Sequence, residues 1–149
     1  MALMSVAKFE RFFRAAAGLD VDKNDLRRYS DFVTTKVHDL LIRAVAAAKA
    51  NGRDVIEPFD LPITKGLQES MHKFRQLDMD IELEPILDQL TARPPLELAY
   101  SPDTESELPR LAGGLSFALA RTFTIIDPEL KNPQTTHWDQ AFEIFNTVS

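Results

Sequence analysis

Residues 24–50, NDLRRYSDFVTTKVHDLLIRAVAAAKA, constrain the fold more than any other stretch of this chain. Leu26, Tyr29, Val33, Val37, Leu40, Leu41, Ala44, Val45 and Ala48 recur at three- and four-residue spacing and keep one apolar face throughout. Asn24 or Asp25 is placed to cap this helix, and Asn51-Gly52 supplies a left-handed stop. At 1.5 Å per residue it is roughly 40 Å long, about twice the usual length. Two short neighbours cannot cover so long a stripe. A second long helix crossing the first can, so the chain is expected to contain one.

Residues 102–126 supply that candidate. Ser101 or Asp103 is a cap candidate, acidic residues occupy the first turn, and an apolar run continues to about Ile126, where Pro128 ends it. Pro109 and Gly113-Gly114 predict a kink, and the glycine pair suits a close helix crossing. Each long helix is flanked by shorter ones. Residues 4–17 form a helix with Val6, Phe9, Phe12 and Phe13 on one face, Ser5 as cap and Gly18 as stop. Asp60 is placed to cap a third helix with Pro62 in its first turn, running toward Asp78. Residues 82–92 form another short helix, stopped by Arg93-Pro94-Pro95, and Thr135 or Thr136 caps a last one. Between helices, Val55-Ile56 and LELAYS (96–101) read as brief extended segments. The order short, long, short therefore occurs twice, with a seam near residues 78–81, and the expectation is an all-α unit in which residues 1–78 clasp residues 79–149.

Composition narrows the function. The 149 residues include no cysteine, which removes disulfides and thiolate chemistry and fits a cytoplasmic location. Lys8, Glu10, Arg11 and Arg14 interrupt the apolar N-terminus, so neither a signal peptide nor a membrane span is expected. Net charge is −6, unevenly placed: residues 1–78 carry 13 Lys/Arg against 11 Asp/Glu, and residues 79–149 carry 4 against 12. A uniformly basic face for a polyanion is missing, and any nucleic-acid contact has to come from the first half.

Residues 5–77 resemble a histone fold, particularly the archaeal kind, most closely in AAAKANGRDVIEPFDL (46–61), which is similar to the end of the histone central helix, its Gly-Arg step, second loop and start of the third helix. As a whole the chain resembles bacterial single-chain histone-fold doublets, two helix–long helix–helix motifs fused into an intramolecular pseudodimer. The resemblance implies that Arg53 pairs with Asp60 as a structural clasp that fixes the loop, a bidentate Arg–carboxylate pair being well suited to hold geometry. It also implies phosphate binding at the loops, but here the residues depart from the histone pattern. Asp54, Val55 and Glu57 stand where a basic residue, a threonine and a lysine are usual, and Asp20 and Asp22 flank the first loop. A carboxylate at a phosphate-docking position repels the ligand.

Catalytic constellations are weak. Glu69 and His72 make one E-x-x-H, the spacing used by di-iron bundles, but neither His38 nor His137 has a glutamate three residues before it. His38-Asp39 are helix neighbours that do not face each other, and Ser30 and Ser116 sit inside helices without a nearby histidine. Trp138, Phe142 and Phe145 are spaced as a core-facing stripe. The expectation is a non-enzymatic protein-interaction or architectural module with no cofactor, metal or catalytic residues, a monomer or weak self-associate with a protein partner. The alternative is a nucleoid-associated protein that contacts DNA through Lys8, Arg11, Arg14, Arg27 and Arg28; the competing account of those five is a solvated helix surface.

Overall fold

In a computed structural model, which describes residues 2–92 and 95–148, the chain is built from six helices and a two-residue parallel sheet: α1 (Ala2–Ala17), α2 (Lys23–Ala50), β1 (Val55–Ile56), α3 (Lys65–Ile81), α4 (Glu84–Leu90), β2 (Ala99–Tyr100), α5 (Pro102–Ile126) and α6 (Thr135–Val148). No described helix is long and apolar enough to cross a membrane. The two long helices stand where the periodicity places them, and Gly52 takes the positive φ (71°) that ends α2.

Several boundaries differ from the expectation, each for a local reason. Helix α1 begins at Ala2, upstream of Ser5. Asp22, rather than Asn24 or Asp25, caps α2: its Oδ1 accepts from the Asn24 and Asp25 N–H groups at 2.8 and 3.2 Å, while Asp25 Oδ2 reaches back to the Asp22 N–H at 3.1 Å. Reciprocal capping satisfies more of the helix's open donors than either residue alone. Asp60 does not open the third helix. It closes a 3₁₀ turn, Pro58–Asp60, and Thr64 caps α3 through an Oγ1 that accepts from Leu67 N–H. Pro62 accounts for the displacement, because proline disfavours helical backbone in the residue before it and Leu61 is extended (φ −68°, ψ 129°). The last helix starts at Thr135, with the Gln134 carbonyl accepting from His137 and Trp138 N–H groups. The chain stop read at residues 93–95 falls largely outside the described residues.

The seam is a pinned turn. Helix α3 runs to Ile81, Glu82 adopts a left-handed conformation (φ 59°), and the Asp78 carboxylate accepts from the Leu83 and Glu84 N–H groups at 2.6 and 3.2 Å. Lys8 Nζ donates to the Glu82 carbonyl at 3.1 Å, which ties α1 to the same turn.

One hydrophobic cluster draws on both halves. Phe9, Phe12 and Phe13 of α1, the inner face of α2, Phe74 of α3 and Leu111, Leu115, Leu119 and Phe123 of α5 belong to it, as does Trp138 of α6. Burial on this scale is the main source of stability for a chain of this length. Tyr29 of α2 and Ser116 of α5 meet inside it at 2.6 Å. Ser116 already gives its only proton to the Ala112 carbonyl at 2.7 Å, so Tyr29 is the donor, and both hydroxyls are satisfied out of water. The most extensive packing is between α3 and α5. Gly113 and Gly114 make it possible: a Cβ at Gly113 would overlap the Phe74 ring, and one at Gly114 would overlap the Met71 side chain and press on its backbone. Helix α5 continues through Pro109 as one element.

The loops pair crosswise. The α2–α3 loop meets the α4–α5 loop through the parallel pairing of Val55 with Ala99 and Ile56 with Tyr100. The Ile56 carbonyl also accepts from Ser101 N–H at 3.1 Å and Thr104 Oγ1 at 2.7 Å. On the other side, the α1–α2 loop meets the α5–α6 loop, where Asp20 N–H donates to the Lys131 carbonyl at 2.6 Å.

Candidate functional site

The α2–α3 loop is held by one residue pair. After Gly52 turns the chain, Arg53 N–H returns to the Ala48 carbonyl at 2.9 Å, and this sets the direction in which the side chain leaves. Arg53 Nη1 and Nη2 then donate to Asp60 Oδ2 and Oδ1, each at 2.6 Å. Asp60 Oδ2 accepts a further bond from Glu57 N–H at 2.8 Å. The Asp60 side chain is 2% exposed, so its charge is compensated by a planar guanidinium and a backbone amide where water cannot do so. Arg53 is 30% exposed and lies over the Phe59 ring, 4.8 Å from its centroid. The result is a closed loop that presents Val55-Ile56 edge-on to β2. Arg53 and Asp60, singled out in the sequence, are thus brought together.

Their pairing makes stability depend on pH. Hydrogen bonds from Arg53, then from Glu57 N–H, hold the Asp60 carboxyl below the ordinary aspartate value of 3.8, against the opposing effect of burial. With its folded-state pKa depressed, Asp60 contributes stability that is fully present above the unfolded-state value and is lost as pH falls through the folded one. Asp25 has the opposite sign. Burial, opposed by the Asp22 amide and the Trp138 indole, raises its pKa above 3.8, so ionised Asp25 detracts from stability at neutral pH and protonation relieves this. Asp60→Asn is therefore expected to lower Tm by about 5 °C at pH 7, and the gap from wild type should narrow below about pH 4. Asp25→Asn, which keeps an acceptor for Trp138, should respond in the opposite sense, losing stability relative to wild type as pH falls. Thermal melts followed by circular dichroism between about pH 3 and 7 measure both; an Asp60→Asn deficit that is independent of pH would contradict the assignment.

Of the five cations proposed for DNA, three are engaged within the protein. Lys8 is spent on the Glu82 carbonyl, Arg14 approaches Asp20 at 3.6 Å, and Arg28 bonds Thr135 Oγ1 at 2.9 Å beside Asp25. Arg11 and Arg27 are exposed. The surroundings of the paired loops are acidic: Asp54 and Glu97 are carboxylates beside β1 and β2, and Asp20, Asp22 and Glu129 stand near the other pairing. Lys49 is neutralised by Glu97 at 2.6 Å.

The remaining candidates resolve into packing. Glu69 pairs with Lys65 one turn back at 3.8 Å, and His72 Nε2 lies 3.4 Å from Gln76 Nε2, so the E-x-x-H serves its own helix surface. Among the described residues no group of three or more His, Asp and Glu side chains is placed to hold a metal ion. Trp138 is fully buried, edge-on to Phe123, and donates its indole N–H to Asp25 at 3.0 Å. Phe142 stacks on Phe32 and Phe145 meets it edge-on.

Lys36 was missed by the sequence reading. It is buried on the inner face of α2, with Nζ 2.6 Å from Asn146 Oδ1 of α6 and 3.6 Å from Asp39 Oδ2. Its position three residues after Val33 and four after Phe32, on the apolar stripe, is the signal that was available.

Residues 9–146 match the model of a family described as a domain of unknown function, DUF1931. The chain belongs to that family. It is similar to a crystal structure of a protein from Thermus thermophilus, with TM-score 0.86, 55% identity and 97% of both chains covered. A crystal structure of a protein from Aquifex aeolicus superposes with TM-score 0.85 at 26% identity, covering 97% of this chain and 95% of that one. An Aquifex aeolicus (strain VF5) sequence described as an uncharacterized protein is 30% identical over 108 residues, 72% of this chain. The chain spans 63% of that relative's length. A second such protein from the same strain is 34% identical over 89 residues, 58% of this chain and 53% of that relative.

Proposed function

We propose that this DUF1931 chain is a single-chain histone-like pseudodimer that works as a non-enzymatic architectural and protein-interaction module. The crosswise loop pairing carries this reading. Loop one of the first half meets loop two of the second, and loop two of the first meets loop one of the second, the exchange expected when two helix–long helix–helix motifs embrace. The Arg53–Asp60 clasp supports it at one pairing. The acidic surroundings of both pairings weigh against a polyanion as ligand, because carboxylates there outnumber the cations, of which Arg53 is already held by Asp60. Exposed apolar side chains favour a protein partner: Ile144 and Val148 on α6 and Ile125 at the end of α5 project into solvent.

Two measurements test the proposal together. Sedimentation should find a folded monomer at micromolar concentration with weak self-association at most, and a duplex DNA titration at low ionic strength should give no shift with protein in excess. An obligate dimer without a folded monomer would refute the intramolecular pairing. Duplex binding that weakens steeply with salt, and disappears when Arg11 and Arg27 become glutamate, would replace this reading with nucleoid association.

A further inference from the structure

A buried lysine needs a reason. The Lys36 side chain is only 6% exposed, and its ammonium has three N–H groups to satisfy. Asn146 Oδ1 takes one at 2.6 Å. Asp39 stands at 3.6 Å, beyond hydrogen-bond distance, and its carboxylate is about half exposed to solvent. Among the described residues, the partners of the Lys36 ammonium are therefore one neutral amide and one distant, hydrated carboxylate.

Lys36 also lines a cavity. About 310 Å³ of space lies between α2, the start of α3, α5 and the end of α6, and Lys36 is part of its wall. Asp39, half exposed, shares that wall, and Leu40, Leu67, Leu115 and Phe145 make most of the rest apolar. The volume is at the lower end of the range for small-molecule sites and has room for about a dozen non-hydrogen atoms. Gly66, in the first turn of α3, leaves open space where a side chain would otherwise stand at the edge.

We propose that this cavity binds a small amphipathic monocarboxylate, its head on the Lys36 ammonium and its apolar chain along Leu40, Leu67, Leu115 and Phe145. A single cation beside Asp39 matches one negative charge better than the two of a phosphate monoester. The apolar walls require a ligand that brings hydrocarbon as well as charge. A cationic amphiphile of the same length would meet the ammonium with like charge.

Decanoate, with twelve non-hydrogen atoms, is a suitable probe, compared with decylammonium by titration calorimetry on the full chain. One decanoate per chain is expected, with decylammonium at least tenfold weaker. Lys36→Met keeps most of the buried stem and removes the charge; it should weaken decanoate at least tenfold. Ala118→Leu fills the cavity from α5, a helix that carries neither Lys36 nor its partners Asp39 and Asn146, and should abolish binding, which keeps the test decisive if Lys36→Met does not fold. The proposal is overturned if wild type takes up no decanoate, if decylammonium binds equally well, or if Ala118→Leu binds as wild type does. Uptake of many molecules per chain would likewise overturn it.

Discussion

Gly113→Ala should cost this protein about 3 kcal/mol, a fall in Tm of about 10 °C, although alanine is the better helix former. In an open helix position the same change is favourable by about 1 kcal/mol. At Gly113 the new Cβ would overlap the ring of Phe74, which is buried and packed against Phe12, so the ring cannot swing aside without opening the core. Gly114→Ala should also destabilise, because Met71 can move its side chain but not the α3 backbone behind it. Gly66→Ala is the internal control: it lies in α3 with nothing near its added Cβ and should be neutral or mildly stabilising. Chemical denaturation of the three variants measures the contrast. A Gly113→Ala variant as stable as wild type would mean that α3 and α5 do not cross at this separation.

Trp138→Ala is the second large effect, a loss of about 4 kcal/mol with Tm lowered by about 12 °C. The indole is fully buried, edge-on to Phe123 and Phe142 and 6.3 Å from Phe13 between ring centres. Truncation leaves a cavity and also takes from Asp25 one of the donors that offset its burial. Trp138→Phe keeps most of the ring volume and loses only the N–H, so it should cost less than half as much. Because Trp138 of the second half contacts Phe13 and Asp25 of the first, its fluorescence in wild type should report the same unfolding transition as helix content. Two separate transitions would show that the halves fold independently.

Legibility in the sequence followed the range of the interaction responsible. Helix α2 was readable because its stripe repeats over many turns and Gly52 punctuates it. The clasp was readable through the resemblance of residues 46–61, and both members sit within one loop. Asp60, also read as a cap, does not cap the third helix, because Pro62 keeps Leu61 extended and α3 begins only after Thr64. The predicted partner of Gly113-Gly114, a crossing helix, was legible as a need for space but not as Phe74 and Met71.

Periodicity, stops and the lengths of the two long helices are local properties, carried by residues a turn or two apart, and the amino-acid order alone determined them. Which loop meets which, and what surrounds Lys36, are decided by contacts between residues far apart in the chain: Ile56 with Ser101, Asp20 with Lys131, Lys36 with Asn146. A lysine within an apolar stripe reads the same whether its ammonium escapes to water or is enclosed. Only the packing of α5, α6 and the start of α3 around that face of α2 encloses it, and so turns an interruption in a pattern into a buried charge at the wall of a cavity.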